Sequence, residues 1–127
     1  MKKLIVASSL LILGLQASYA DSKVSNQYTT CMNQASNTAT MVQCVSNETA
    51  RQDARLNKAY HGLMSKQSKT RKQELQAAQR LWIKYRDANC KFYLDPNGGT
   101  IARVKSANCV MNETANRATE LENLAAL

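Results

Sequence analysis

Leu75-Gln76-Ala77-Ala78-Gln79-Arg80-Leu81-Trp82-Ile83-Lys84-Tyr85-Arg86-Asp87-Ala88-Asn89-Cys90 contains no glycine, no proline and no alternating run. Leu75, Ala78, Trp82, Tyr85 and Asn89 recur at intervals of three and four, which places them on one face of a helix. The same pattern extends the helix to about Lys69–Tyr93, with Lys72, Lys84 and Lys91 off that face. Trp82 and Tyr85 therefore read as core residues. Downstream, Asp95-Pro96-Asn97-Gly98-Gly99-Thr100 joins a proline of preset φ to residues that tolerate positive φ, and no helix continues through it. A last helix is predicted from near Ser106 to about Leu124, burying Val110, Thr114, Leu121 and Leu124 with Arg117 on the same side.

Upstream, Thr40 and Gln43 have the spacing of a capping box. The helix they start runs to about Lys66 on a stripe of Met41, Cys44, Val45, Thr49, Leu56, Tyr60, Leu63 and Met64, with Asp53 inside the stripe. A short helix is expected around Val24 to Gln34, ended by Ser36-Asn37. The two long helices read as an antiparallel hairpin. The chain has one proline and four glycines, too few for a many-turned β-sandwich, and no β-alternation longer than a few residues. The expected fold is all-α, a small helical hairpin plus flanking helices.

The N-terminus has the three-part grammar of a secretory signal: Lys2 and Lys3, an apolar run from Leu4 to Leu15, and small residues at Ser18 and Ala20. The run is well short of the roughly 20 residues that span a bilayer, which favours a cleavable signal over residues 1–20 against an anchor. Asp21 is expected to begin the mature chain, a single domain over residues 21–127, periplasmic or secreted. Losing Lys2 and Lys3 takes the formal charge from +8 to +6, a field that favours anionic partners.

Cys31, Cys44, Cys90 and Cys109 all follow the signal, and an even count in an exported chain reads as disulfides. Local pairing, Cys31–Cys44 and Cys90–Cys109, closes loops worth about 3 kcal/mol each, and crossed pairing closes longer ones, so chain entropy does not choose. The helix layout favours the local pairing. Cys90 ends one helix and Cys109 begins the next, so their bond clamps the glycine-rich loop, while Cys31 and Cys44 tie the short helix to the long one. With no C-x-x-C and only one histidine, His61, no metal site and no cofactor are expected.

One histidine makes no triad, and Glu48, Glu74, Glu113, Glu120 and Glu122 fall at positions consistent with solvated faces, so an enzyme is not expected. An acid on an apolar stripe is costly unless paired, and Asp53 is therefore expected in a structural ion-pair network with Arg86 and Arg117. Lys66, Lys69, Arg71 and Lys72 form a candidate anionic-surface patch. No aromatic residues interleave these charges, so nucleic acid is not expected as a partner.

Together these residues resemble the LprI-type lysozyme-inhibitor family of small exported bacterial proteins. The resemblance rests on Cys31, Ala35, Thr38 or Thr40, Met41 and Cys44; on Asp53-x-x-Leu56-Asn57-x-x-Tyr60; on Leu75-x-x-Ala78-Gln79-Arg80-x-Trp82-x-x-Tyr85-Arg86-Asp87-x-x-Cys90; and on Gly98-Gly99-Thr100 followed by Cys109, Thr114, Arg117 and Leu121. It implies a helical, disulfide-stapled module of the bacterial envelope, in a family to some of whose members inhibition of lysozyme is attributed, and so an expected partner in a lysozyme-like muralytic enzyme. Animal lysozymes are basic, so a +6 chain meets long-range repulsion on approach. Their cleft carboxylates nevertheless suit a local basic loop, which marks Asn97, Gly98, Gly99, Arg103 and Lys105 as the candidate binding loop. The alternative function is binding of anionic envelope polymers through the basic helical surface.

Overall fold

The computed structural model describes residues 24–127; the expected signal at 1–20 lies outside the described residues. Four helices follow in order: α1 (Asn26–Gln34), α2 (Thr38–Ser65), α3 (Lys69–Phe92) and α4 (Ile101–Ala125). Among the described residues there is no strand, and no helix is long and apolar enough to cross a membrane. Both disulfides are local, Cys31–Cys44 with Cα atoms 5.6 Å apart and Cys90–Cys109 with Cα atoms 5.3 Å apart.

Local chemistry sets the helix ends. Ser25 caps α1 through a hydrogen bond from the Tyr28 backbone N–H, and the Ser68 hydroxyl accepts from Arg71 N–H at the start of α3. The capping box of α2 lies one turn earlier than the sequence suggested. Asn37 Oδ1 accepts the Thr40 N–H at 2.9 Å and Thr40 Oγ1 accepts the Asn37 N–H at 3.3 Å, so the helix begins at Thr38. Gln43, freed from that role, donates to Asn47 one turn along. Helix α4 begins at Ile101 rather than near Ser106. Gly99 takes φ +65°, and the turns from Gly99 and Thr100 carbonyls to the Ala102 and Arg103 N–H groups lead straight into the helix.

The closest helix pair is α2 with α4, rather than the α2–α3 hairpin; α1 packs on α2, and α3 on α4. Helix α4 is central because its inner face carries small residues: Ala115 and Ala118 are fully buried and admit α2 closely. Leu56, Leu63, Ala118 and Leu121 form the apolar cluster, flanked by Tyr60, Leu75 and Trp82. Of the last helix's predicted core, Thr114, Arg117 and Leu121 are buried, whereas Val110 is half-buried and Leu124 exposed.

The inward seams of the two long helices run through polar positions that a hydrophobic stripe skips. In α2 the seam is Val45, Glu48, Gln52, Leu56 rather than Val45, Thr49, Asp53, Leu56. In α3 it is Leu75, Gln79, Trp82, Arg86 and Cys90, while Ala78 and Tyr85 face outward. Tyr85 is 57% exposed, so the reading of it as core is corrected. The polar seam is fully satisfied: no buried side-chain nitrogen or oxygen among the described residues lacks a hydrogen-bond partner.

Candidate functional site

The Cys90–Cys109 disulfide and the Ser106 hydroxyl, which donates to the Cys90 carbonyl at 2.9 Å, fix the end of α3 against the start of α4. Between them the chain makes a tight connection. The Asp95 carboxylate accepts the Asn97 N–H at 2.8 Å and the Asp95 carbonyl accepts the Gly98 N–H at 3.0 Å. A Cβ on Gly98 would sit 2.9 Å from the Ala102 Cβ, so the loop lies directly on the first turn of α4 because residue 98 has no side chain.

This rigid connection holds a cluster of apolar side chains in solvent. Phe92 is 86% exposed, and Tyr93, Leu94 and Ile101 are also exposed. The Phe92 and Tyr93 rings meet edge to face with centroids 6.3 Å apart. Phe92, Tyr93, Leu94, Pro96, Gly98 and Lys105 line a hollow of about 610 Å³. A second, of about 500 Å³, continues along Leu94, Pro96, Gly99 and Arg103. Lys91, Arg103 and Lys105 are exposed, and none is in an ion pair among the described residues. The local acid, Asp95, is occupied by its own turn. The end of the molecule is therefore apolar at its centre and cationic at its rim. Such a surface can dock a concave acidic partner, and among the described residues no cluster of His, Cys, Asp or Glu could hold a metal ion.

All five candidate loop residues, Asn97, Gly98, Gly99, Arg103 and Lys105, lie at this end. The apolar members were missed, although Phe92-Tyr93-Leu94 stands immediately before a turn with no following helical turn to bury it. Residues 31–121 match the family described as Lysozyme inhibitor LprI. The chain belongs to that family. No curated protein and no solved structure matches it.

The other charged groups of this LprI-family chain sit elsewhere. Lys66, Lys69, Arg71 and Lys72 occupy the opposite end, at the α2–α3 turn. Lys66 Nζ donates to the Ala125 carbonyl at 3.0 Å, closing the end of α4, and Arg71 pairs with Glu74. Lys69 and Lys72 remain exposed. His61 is on the surface against Tyr60.

The expected Asp53–Arg86–Arg117 network does not form. Asp53 is exposed; Arg86 binds Asp87 at 2.8 Å and reaches Thr114, and Arg117 binds Gln79 and Glu120. The buried acid is Glu48, which the sequence reading had placed on a solvated face. Its carboxylate is wholly inaccessible and accepts from Ser25 N at 2.8 Å, Ser25 Oγ at 2.6 Å, Arg51 Nε at 2.7 Å and Gln52 Nε2 at 2.7 Å. Burial by itself would raise the Glu48 carboxyl. Hydrogen bonds from the Ser25 side chain, Gln52, the Ser25 backbone and Arg51 override it and hold the group at about 2, against an ordinary 4.5. Burial, and secondarily the Glu48 charge, push the nearby Tyr28 hydroxyl up from 10.0. These contacts tie the first described residues and α1 to α2 and lie apart from the clamped end.

Proposed function

We propose that this chain is an exported binding protein of the bacterial envelope, its signal at residues 1–20 removed, that inhibits lysozyme or another peptidoglycan-cleaving enzyme with the disulfide-clamped end at residues 91–105. The observation that carries this reading is the coincidence of exposed Phe92, Tyr93, Leu94 and Ile101 with unpaired Lys91, Arg103 and Lys105 where the end of α3, the start of α4 and the short turn between them are clamped by the Cys90–Cys109 disulfide. Aromatic anchors ringed by charge are the features that dominate protein–protein affinity, and rigidity lowers the entropy lost on docking. The cation rim suits the target, since glycoside hydrolases work with paired carboxylates in a cleft. Two disulfides fit an oxidising compartment. Binding of anionic polymers through Lys66, Lys69, Arg71 and Lys72 has less support, because two of those four are held by partners within the chain.

The test is inhibition of cell-wall hydrolysis across a panel of muralytic enzymes, with complex formation followed by gel filtration. Near-stoichiometric inhibition of at least one enzyme is expected. Phe92→Ala and Arg103→Glu should each weaken it at least about tenfold, as loss of a central anchor does, while leaving the melting temperature unchanged. Inhibition that survives both substitutions would remove the loop from the interface, and a panel without an inhibited enzyme would remove the function.

A further inference from the structure

The side of the molecule between α2 and α3 carries a groove of about 400 Å³, separate from the loop end. Asp53, Asn57 and Tyr60 come from one face of α2, and Gln76, Arg80 and Trp82 from the facing side of α3. Leu56 and the half-buried rings of Tyr60 and Trp82 provide apolar wall. The polar groups above it differ from every polar group of the inner seam. Asp53, Asn57, Gln76 and Arg80 are exposed, and none of their side chains makes a hydrogen bond or ion pair among the described residues. Arg86 also lines the groove but is committed: it lies 5.1 Å from the Trp82 ring centroid and binds Asp87 and Thr114.

We propose that this groove is a binding site for a short saccharide carrying a carboxylate. Sugars present C–H faces that need an apolar wall, and hydroxyl or acetamido groups that need planar side chains able to donate and accept, which Asn57 and Gln76 supply, with the Asp53 carboxylate beside them accepting from hydroxyls. Arg80 is the one groove guanidinium without a partner among the described residues, and a carboxylate is what a free guanidinium fork binds best. The site is independent of the inhibitor reading and uses none of its residues.

Trp82 is the only tryptophan in the chain, so its emission reports on the groove directly. The mature protein is titrated with two disaccharides that differ in one group: N-acetylglucosaminyl-N-acetylmuramic acid, which bears a lactyl carboxylate, and its neutral twin N,N′-diacetylchitobiose (chitobiose). The acidic sugar is expected to shift Trp82 emission saturably, binding about tenfold more tightly than chitobiose, as one charge-assisted contact implies. Arg80→Ala should erase the difference between the two sugars, Asn57→Ala should weaken both, and Phe92→Ala should change neither. Asn57 and Arg80 hold no internal contact, so these variants keep the fold. No shift with either sugar up to about 10 mM, a range that detects even millimolar complexes, would overturn the site. Equal affinity for both sugars, or an effect unaltered in both groove variants, would do the same.

Discussion

Glu48 shows how a charge becomes part of a core. Its carboxylate has no access to water, yet four donors converge on it, so ionisation is favoured in the folded chain. The group titrates near 4.5 when unfolded and near 2 when folded. Its contribution is therefore fully present above pH 4.5 and is lost as pH falls through about 2, a change worth about 3 kcal/mol. Denaturant unfolding followed from pH 6 to pH 2 should show this decline, and Glu48→Gln should flatten it. Glu48→Ala leaves Arg51, Gln52 and Ser25 without their acceptor and should cost about 3–5 kcal/mol at pH 7. Asp53→Ala, by contrast, removes an exposed group with no internal contact and should move stability by less than about 0.5 kcal/mol. A large loss from Asp53→Ala together with a small one from Glu48→Ala would reverse the assignment.

At the scale of the elements, hydrophobic periodicity found α3 within a residue of its ends and α2 within two at its start, because long apolar recurrences survive local noise. It missed the rotation of both helices about their axes. The stripe was traced through Thr49, Asp53, Ala78 and Tyr85, whereas the buried seam takes Glu48, Gln52, Gln79 and Arg86. Polar side chains point inward there because partners on other elements satisfy them: Ser25 for Glu48, Thr114 for Arg86, and Arg117 for Gln79. A helical wheel of one segment contains none of those partners. The α3–α4 connection was legible, since its turn residues and flanking cysteines are adjacent in sequence. Gly98→Ala tests its close packing. The new methyl meets the Ala102 Cβ, which cannot rotate away, so the first turn of α4 must shift. A loss of about 1–3 kcal/mol is expected by thermal or chemical unfolding.

Across the whole molecule, α2 alone spans about 42 Å from its 28 residues. It separates the apolar, cation-rimmed end from the basic α2–α3 turn, and the two surfaces cannot contact one small partner together. The net charge of the chain acts at longer range than either. Against a basic muralytic enzyme, association should accelerate as salt screens the repulsion, while dissociation changes little because the buried contacts are apolar. Stopped-flow binding at about 20 and 200 mM salt measures this, two conditions that differ about threefold in Debye length. An association rate that falls with salt for such an enzyme would place local attraction, from the cations of the clamped end or of the basic turn, in control over the net repulsion.

The sequence by itself determined the helix class, the spans of α2 and α3 to within about two residues and the position of the clamped loop, and it favoured the local cysteine pairing that the structure shows. All of these follow from spacing and turn chemistry between residues close along the chain. Only the tertiary structure decided that α4, not α3, is the main partner of α2, that Glu48 is the buried acid, and that Asp53 faces an open groove beside Arg80. Only it showed that Phe92, Tyr93, Leu94 and Ile101 are all left exposed, with Phe92, Tyr93 and Leu94 lining one hollow. Each of those outcomes depends on which side of a helix meets another helix. That choice is made by small residues such as Ala115 and Ala118, and by hydrogen-bond partners distant in sequence, neither of which a hydrophobic stripe registers.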